Sequence, residues 1–159
     1  MTENNIQVEI ASRDDAPKIL AIQKEAFLGQ AKIYNNFELP PLTQSLESIE
    51  EEFAEKTFLK VLSHGEIIGA VRFCVRKGQV EIDRIVVKPD HQNKGIGTAL
   101  LKKIEIMVPG ASAYQLFTGN KSTRNIHLYE KVGYRVIGGE TSDQGVELFH
   151  MEKRPQPTT

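Results

Sequence analysis

The sequence predicts an α+β fold in which helices flank one central mixed sheet. Three runs are rich in β-branched residues and separated only by short glycine-containing turns, at residues 57–63, 67–75 and 80–87; this is typical of an antiparallel meander. Segments with the apolar spacing of amphipathic helices precede and follow the meander. Strands and helices do not alternate as strand–helix–strand units, so the sheet is expected to be mixed and mostly antiparallel.

Length and composition are those of one ordinary globular domain. The chain has 159 residues, of which 40% are apolar and 26% charged, with a formal net charge of −1. This charge balance predicts neither a nucleic-acid partner nor a polybasic membrane patch. We expect one domain over residues 1–153 and a disordered tail over 154–159. The first residues lack a signal-peptide pattern, which predicts a cytoplasmic protein with no membrane partner.

Residue types that bind metals are scattered along the chain. There is one cysteine, Cys74, and the four histidines show no two at ligand spacing. One thiol excludes an internal disulfide framework and a cysteine-built zinc site. The sequence therefore predicts no metal centre.

The first half of the chain is expected to contain one strand and two helices before the meander. Apolar and polar residues alternate over 6–11, which predicts the first strand. A helix capped by Ser12 follows and is expected to end at Gly29. Residues 30–44 are predicted to be a loop, and 45–54 a second helix with one apolar face.

The second half is expected to contain two helices and three strands. The expected helices are residues 95–107 and 122–132, and the expected strands are 113–118, 134–137 and 146–151. Ser122 is a candidate N-cap, and Gly133 is placed as the glycine that follows a helix end. The whole chain thus predicts about seven strands and about four helices.

The fourth predicted strand carries an irregularity. Val80 and Ile82 lie on one face of the strand, whereas Ile85 and Val87 lie on the other. Because side chains alternate strictly along a strand, the apolar phase has slipped between them. We therefore predict a β-bulge near residues 83–84, a feature that often lies beside active sites.

A glycine-bearing turn follows this strand. Gly95 and Gly97 open an apolar helix, and the first N–H groups of a helix lack intrahelical partners and lie at the positive end of its dipole. This predicts an anion site, most naturally for phosphate, with Lys94 adding a positive charge. A dinucleotide fingerprint would require glycine where Leu100 stands, and a plain packing turn remains the structural alternative.

Two segments together resemble the GNAT superfamily of N-acetyltransferases, in its small bacterial-type members. The first is Gln92-x-x-Gly95-x-Gly97, which is similar to the acyl-CoA-binding signature of that family. The second is residues 122–134, which look like the family's tyrosine-bearing helix, ended by glycine and an aromatic residue. The resemblance covers nearly the whole chain and implies the GNAT fold, a twisted central sheet with a bulged fourth strand.

The resemblance implies transfer of an acetyl group from acetyl-CoA to a primary amine, by direct attack of the amine on the thioester. The implied partners are acetyl-CoA and an amine-bearing small molecule or peptide, and family analogy favours a homodimer. A non-catalytic acetyl-CoA sensor is the alternative. The acceptor is expected to contact residues 29–44, because the family places its variable acceptor side there.

The family pattern assigns cofactor-binding residues by position. The residues implied to face the diphosphate are Gln92, Asn93, Lys94, Gly95, Ile96, Gly97 and Thr98. The pantetheine arm is expected to pair with the backbone of Ile85, Val86 and Val87 as an added strand. The family often has asparagine where Ser122 stands, and Asn125 lies one turn later, so either residue is a candidate for the remaining contact.

The resemblance also suggests two catalytic residues. Tyr129 is the candidate general acid for the departing thiolate, because a phenol with an ordinary pKa near 10 stays protonated at neutral pH. Glu81 is the candidate general base, acting through water, with Asp83 as the alternative on the same face of the strand. A carboxylate paired only with a neighbouring arginine, and no single base, is the competing interpretation.

Overall fold

One seven-stranded sheet forms the centre of the computed structural model, which describes residues 6–155. The strands are β1 Ile6–Ile10, β2 Thr57–Ser63, β3 Glu66–Arg76, β4 Gln79–Val87, β5 Ala113–Gly119, β6 Arg135–Thr141 and β7 Glu147–Lys153. Their order across the sheet is β1-β2-β3-β4-β5-β7-β6. The predicted mixed, mostly antiparallel sheet is confirmed, because among the strands of residues 6–155 only the β4–β5 pair is parallel. Residues 156–159 of the predicted tail lie outside the described residues.

Helices cover both faces of this sheet. They are α1 Ala16–Tyr34, α2 Pro40–Thr43, α3 Leu46–Glu52, α4 Ile96–Met107 and α5 Thr123–Lys131. On one face, Ile104 of α4 and Tyr129 of α5 pack in a core with Leu116 of β5. On the other, Ile19 of α1 and Ile49 of α3 pack in a second core that contains Val86 and other strand residues.

The end of α1 differs from the sequence-based expectation. Gly29 does not end the helix, which continues to Tyr34 and is followed by Asn35 in the left-handed conformation at φ 50°. A glycine inside a helix costs about 1 kcal/mol relative to alanine. Burial of Ala31, which is fully enclosed, offsets that cost. The predicted loop at 30–44 is thus partly wrong, since it contains the last turn of α1 and the short α2.

The predicted β-bulge is confirmed. Ala70 of β3 pairs with Val86 and Arg72 pairs with Asp83, so two β4 residues, Arg84 and Ile85, lie opposite one β3 residue. Arg84 has a left-handed φ of 56°. Beyond this point the alternation of β4 side chains is reversed, as the sequence pattern indicated.

Strands β4 and β5 separate beside the bulge. Their parallel pairing covers only three rungs, from Gln79 with Ala113 to Glu81 with Gln115. Beyond Glu81 the backbone of β4 therefore has no β5 partner, and a gap opens in the middle of the sheet. The bulge and this gap together position the candidate site.

Candidate functional site

A cleft of about 940 Å³ lies where β4 leaves β5. Its walls are the second half of α1, the end of β4, the turn that leads into α4, and the segment 121–131 that contains α5. The cleft thus reaches both the edge of the sheet gap and the N-terminus of α4.

Eleven of the twelve residues predicted to bind the cofactor line this cleft: Ile85, Val86, Val87, Gln92, Asn93, Gly95, Ile96, Gly97, Thr98, Ser122 and Asn125. Lys94 is the exception, because its exposed side chain is not part of the lining. The residues that the two motifs assigned to the cofactor therefore lie together at one cleft. Their roles in binding stay predictions.

The turn before α4 presents backbone N–H groups to the cleft. Gly95 is the N-cap of α4 and has a φ of 81°, a conformation that favours glycine. The first intrahelical bond runs from the Ala99 N–H to the Gly95 oxygen at 3.0 Å. The N–H groups of Ile96, Gly97 and Thr98 consequently have no intrahelical acceptor, and all three residues line the cleft. The geometry fits an anion such as a phosphate.

Gln92 connects this turn to the neighbouring walls. Its Nε2 donates to the Val87 carbonyl oxygen at 3.1 Å, and its Oε1 accepts a hydrogen bond from Arg124 Nη1 of α5. The turn is thereby tied to the end of β4 on one side and to α5 on the other. Removing this amide would free two walls of the cleft at once.

The cleft is basic. Lys121, Arg124 and Lys131 contribute three cationic side chains, whereas Glu25 is the single carboxylate among the described residues that line it. Arg124 and Lys131 are seven residues apart on α5, so they lie on one face of the helix. His127 lies between them and lines the cleft, whereas Tyr129, two residues on, is buried in the core. This excess of positive charge favours an anionic ligand.

Ser122 occupies the predicted N-cap position of α5, but its side chain bonds to α1 instead of capping the helix. It precedes α5 without making a side-chain cap hydrogen bond. Its Oγ instead lies 2.9 Å from Tyr34 Oη and donates a hydrogen bond to Gln30 Oε1 of α1. Tyr34 Oη also accepts from the Lys121 N–H at 2.8 Å. Ser122 therefore holds α1 against the start of α5, while Asn125 faces the cleft half-buried.

Tyr129 is buried in the core between α5 and the sheet and is not part of the cleft lining. Its ring is tilted against that of Tyr134, with 6.3 Å between centroids. Burial raises the pKa of the Tyr129 phenol above its ordinary value, because the charged form is poorly solvated there. The phenol therefore stays protonated at neutral pH.

Glu81 lies at the last β4–β5 rung, where the gap begins. About half of its side chain is exposed (52%), and its Oε1 is 3.8 Å from Arg76 Nε and 3.9 Å from Cys74 Sγ. It is not among the residues that line the cleft. Asp83, the alternative base, is paired with Lys56 at 3.2 Å and with Arg72 at 3.4 Å.

Sequence reasoning named only part of the α1 wall of the cleft: Gly29, Gln30 and Ile33 fall within the segment 29–44 that was expected to contact the acceptor, whereas Glu25, Ala26 and Phe27 were not singled out. Residues Glu25, Ala26, Phe27, Gly29, Gln30 and Ile33 line it, but most lie near or beyond the glycine that was expected to end the helix. Asn35, which adopts the left-handed conformation after α1, was the sequence signal for the true helix end, since asparagine often occupies that position.

The comparisons with known proteins agree with this geometry. The family model for the acetyltransferase (GNAT) domain matches residues 21–155. The chain therefore belongs to the GNAT acetyltransferases, as its motifs predicted, and the predicted enzyme class, an acetyl-CoA-dependent N-acetyltransferase, is confirmed.

Individual relatives are distant. UPF0157 protein YqkA of Bacillus subtilis is 28% identical over 138 residues, which cover 86% of this chain and 40% of YqkA. The uncharacterized N-acetyltransferase YjcF of the same organism is 27% identical over 133 residues, covering 82% of this chain and 91% of YjcF. This chain thus spans less than half the length of the first relative and most of the second.

A solved structure shares the fold along nearly the whole chain. The PaiA N-acetyltransferase from Thermoplasma acidophilum, determined in complex with coenzyme A, has a TM-score of 0.76 at 21% identity, covering 98% of this chain and 100% of that one. The predicted GNAT fold is therefore confirmed. Within residues 6–155, no helix is long and apolar enough to cross a membrane.

Proposed function

We propose that this chain transfers the acetyl group of acetyl-CoA to a primary amine on a small molecule or peptide. One observation carries the proposal: the unpartnered end of β4, bulged at Arg84, adjoins the free N–H groups of α4 within one basic cleft. An unpaired strand edge suits an extended amide chain, and a helix N-terminus suits a diphosphate. Acetyl-CoA carries both.

The cleft residues would hold the cofactor by its separate chemical parts. The N–H groups of Ile96, Gly97 and Thr98 would bind the diphosphate, since they are the free donors of α4. The backbone of Ile85 to Val87 would pair with the pantetheine arm as an added strand. Arg124 and Lys131 would add charge attraction at the α5 wall.

Acetyl-CoA supplies an activated acyl group as a thioester. The nitrogen of the neutral acceptor amine forms a bond to the carbonyl carbon, the carbon–sulfur bond breaks, and the nitrogen loses one proton as the thiolate leaves. Backbone N–H groups at the bulge would stabilise negative charge on the carbonyl oxygen. In this proposal Tyr129, which shares a core cluster with the cleft residues Ile96 and Leu128, protonates the leaving thiolate. Glu81, which lies outside the lining at the last β4–β5 rung, accepts the amine proton through water.

The experiment is an acceptor screen with purified protein. Acetyl-CoA is incubated with a broad panel of amines, free thiol is measured, and the acceptor is examined by mass spectrometry for one added acetyl group. We expect amine-dependent thiol release with a matching acetylated product. Tight binding of acetyl-CoA without transfer to any member of the panel would overturn the proposal and favour the sensor alternative.

A further inference from the structure

A polar cluster lies beside the bulge, on the face of the sheet that α1 and α3 cover. Its centre is Arg72, whose side chain is 1% exposed. Arg72 Nη2 is 3.2 Å from Glu52 Oε1, and its Nε is 3.4 Å from Asp83 Oδ1. Lys56 also pairs with both of these carboxylates, at 3.7 Å and 3.2 Å.

Arg84, the bulge residue itself, points into this cluster without meeting a carboxylate. Its Nη1 donates to the neutral amide oxygen of Gln44 at 2.7 Å. That same oxygen accepts from Gln23 Nε2 at 3.0 Å. Among residues 6–155, the Arg84 Nε and Nη2 atoms have no hydrogen-bond partner, and neither is fully buried. Two donors of a half-buried guanidinium are thus left open to a ligand.

The charges of the cluster do not cancel. Arg72, Arg84 and Lys56 carry three positive charges, whereas Glu52 and Asp83 carry two negative ones. Because both carboxylates already pair with Arg72 and Lys56, the uncompensated charge lies at Arg84.

The electrostatics of Arg84 agree with this count. Burial, and then the nearby positive charge of Arg72, lower its pKa to about 10. The carboxylates of Asp83 and Glu52 oppose this lowering of the pKa but do not outweigh burial and Arg72. An anion bound at Arg84 would offset the repulsion from Arg72.

The location connects this charge to the proposed reaction. Ile85 and Val86, the two residues after Arg84, line the cleft at the gap in the sheet. Helix α4, whose N-terminus forms the anion site, packs with α5 on the opposite face of the sheet, and the cleft also has a wall from α1. Arg84 itself is not part of the cleft lining; a cofactor bound at the N-terminus of α4 therefore leaves the surroundings of Arg84, beside Gln44 on the α1 and α3 face, for the acceptor.

We propose that Arg84 binds a carboxylate of the acceptor, so that the substrate is an amino acid or another amine that also carries an acid group. This inference rests on the proposed function, because it assigns the acceptor class of that site. A guanidinium with two free donors matches a carboxylate, which it can bind through two parallel hydrogen bonds. A polyamine would instead place a cation beside an uncompensated cation.

The test uses matched acceptors that differ only in the acid group. Several amino acids are each compared with their primary amide and with the decarboxylated amine, and kcat/KM is corrected for the fraction of free amine. We expect the carboxylate to raise kcat/KM by about tenfold or more in the wild-type protein. Preference for the amides or for diamines, with acetyl transfer intact, would overturn the inference and leave the proposed function standing.

Variants of Arg84 test whether this side chain causes the preference for acceptors that carry a carboxylate. Arg84→Gln should remove the carboxylate preference while leaving the affinity for acetyl-CoA unchanged, and Arg84→Lys should retain part of it. Arg13→Gln is the matched control, because Arg13 pairs with Glu50 on an exposed surface. An Arg84→Gln protein that is folded and keeps the full preference would contradict the assignment.

A binding measurement tests the same point without turnover. The protein is saturated with CoA and titrated calorimetrically with an N-acetyl amino acid and with its amide. We expect the acid to bind about tenfold or more tightly than the amide, and Arg84→Gln to abolish that difference. Equal affinities would overturn the inference, whereas failure of every amine in the turnover assay would count against the proposed function.

Discussion

Gly97 of α4 packs directly against Leu128 of α5: a Cβ atom at Gly97 would lie 2.8 Å from Leu128 Cδ2. This contact joins two walls of the cleft, so Gly97 serves helix packing in addition to the ligand approach that we propose for it. An aspartate at Gly97 would therefore disturb packing and anion binding together, and it would not isolate either effect.

Gly97→Ala should stabilise the protein less than the same change at an unobstructed helical glycine. Both substitutions gain helix propensity of about 1 kcal/mol, but at Gly97 the new methyl group requires the end of the Leu128 side chain to move, and overpacking offsets part or all of that gain. Chemical denaturation measures the free energy of unfolding. Gly29→Ala in α1 is the control, since a Cβ at Gly29 meets nothing within 4 Å. Equal stabilities for the two variants would show that Leu128 moves aside without cost.

Tyr129→Phe should slow the reaction without unfolding the protein. Loss of a proton donor typically lowers the rate by about 10²–10⁴-fold, and we expect kcat to fall at least about tenfold. The control is Tyr114→Phe, because the Tyr114 hydroxyl donates to the Val108 oxygen at 2.6 Å. That variant should lose about 1 kcal/mol of stability and keep its rate. A Tyr129→Phe enzyme with normal kcat and a lower melting temperature would make Tyr129 purely structural.

Glu81→Gln should lower kcat/KM and remove the acidic limb of the pH–rate profile. The substitution keeps the shape of the side chain at the last β4–β5 rung but removes its basicity. Glu66→Gln, an exposed glutamate on β3, is the matched control. If the acidic limb is the same in both variants and in wild type, Glu81 pairs with Arg76 and takes no part in catalysis.

The stability of the protein should fall at alkaline pH. Burial raises the pKa of both Tyr129 and Tyr134 in the folded state, whereas an unfolded tyrosine titrates near about 10. Their contribution to stability is therefore complete below about pH 10 and is lost as the pH rises from there through the folded-state pKa values. Urea denaturation across this range measures it. The double variant Tyr129→Phe/Tyr134→Phe should show a shallower decline, and an equal decline would rule out these two phenols as its cause.

Local pattern was sufficient to predict the sheet, the bulge and the glycine turn. The parity change between Ile82 and Ile85 is a property of the strand itself, and the bulge at Arg84 follows from it. Gly95 and Gly97 likewise mark the start of α4, because glycine readily adopts the left-handed φ that Gly95 has at the N-cap. These features need no knowledge of distant contacts.

Features that depend on distant contacts were not predictable in the same way. The extension of α1 to Tyr34 depends on the burial of Ala31 and on the hydrogen bond between Tyr34 and Ser122, 88 residues apart in the chain. The charge of Arg84 is not compensated because its hydrogen-bond partner is the neutral side chain of Gln44, which comes from the segment between α2 and α3. Sequence spacing alone does not bring such groups together.

The central claim is that the cleft beside α4 binds acetyl-CoA, and calorimetric titration of Asn93→Asp tests it most directly. Asn93 lines the cleft with a left-handed φ of 65°, a conformation that aspartate also tolerates. The substitution adds one negative charge beside the anion site and keeps the shape of the side chain. Asn35→Asp is the control, because Asn35 has a similar φ of 50° and lies outside the cleft lining.

We predict that one acetyl-CoA binds per wild-type chain. Asn93→Asp should weaken that binding by about tenfold at low salt, and less as salt screens the added charge. Asn35→Asp should bind as wild type does. An unchanged affinity in a folded Asn93→Asp protein, or no binding of acetyl-CoA to the wild type, would contradict the account.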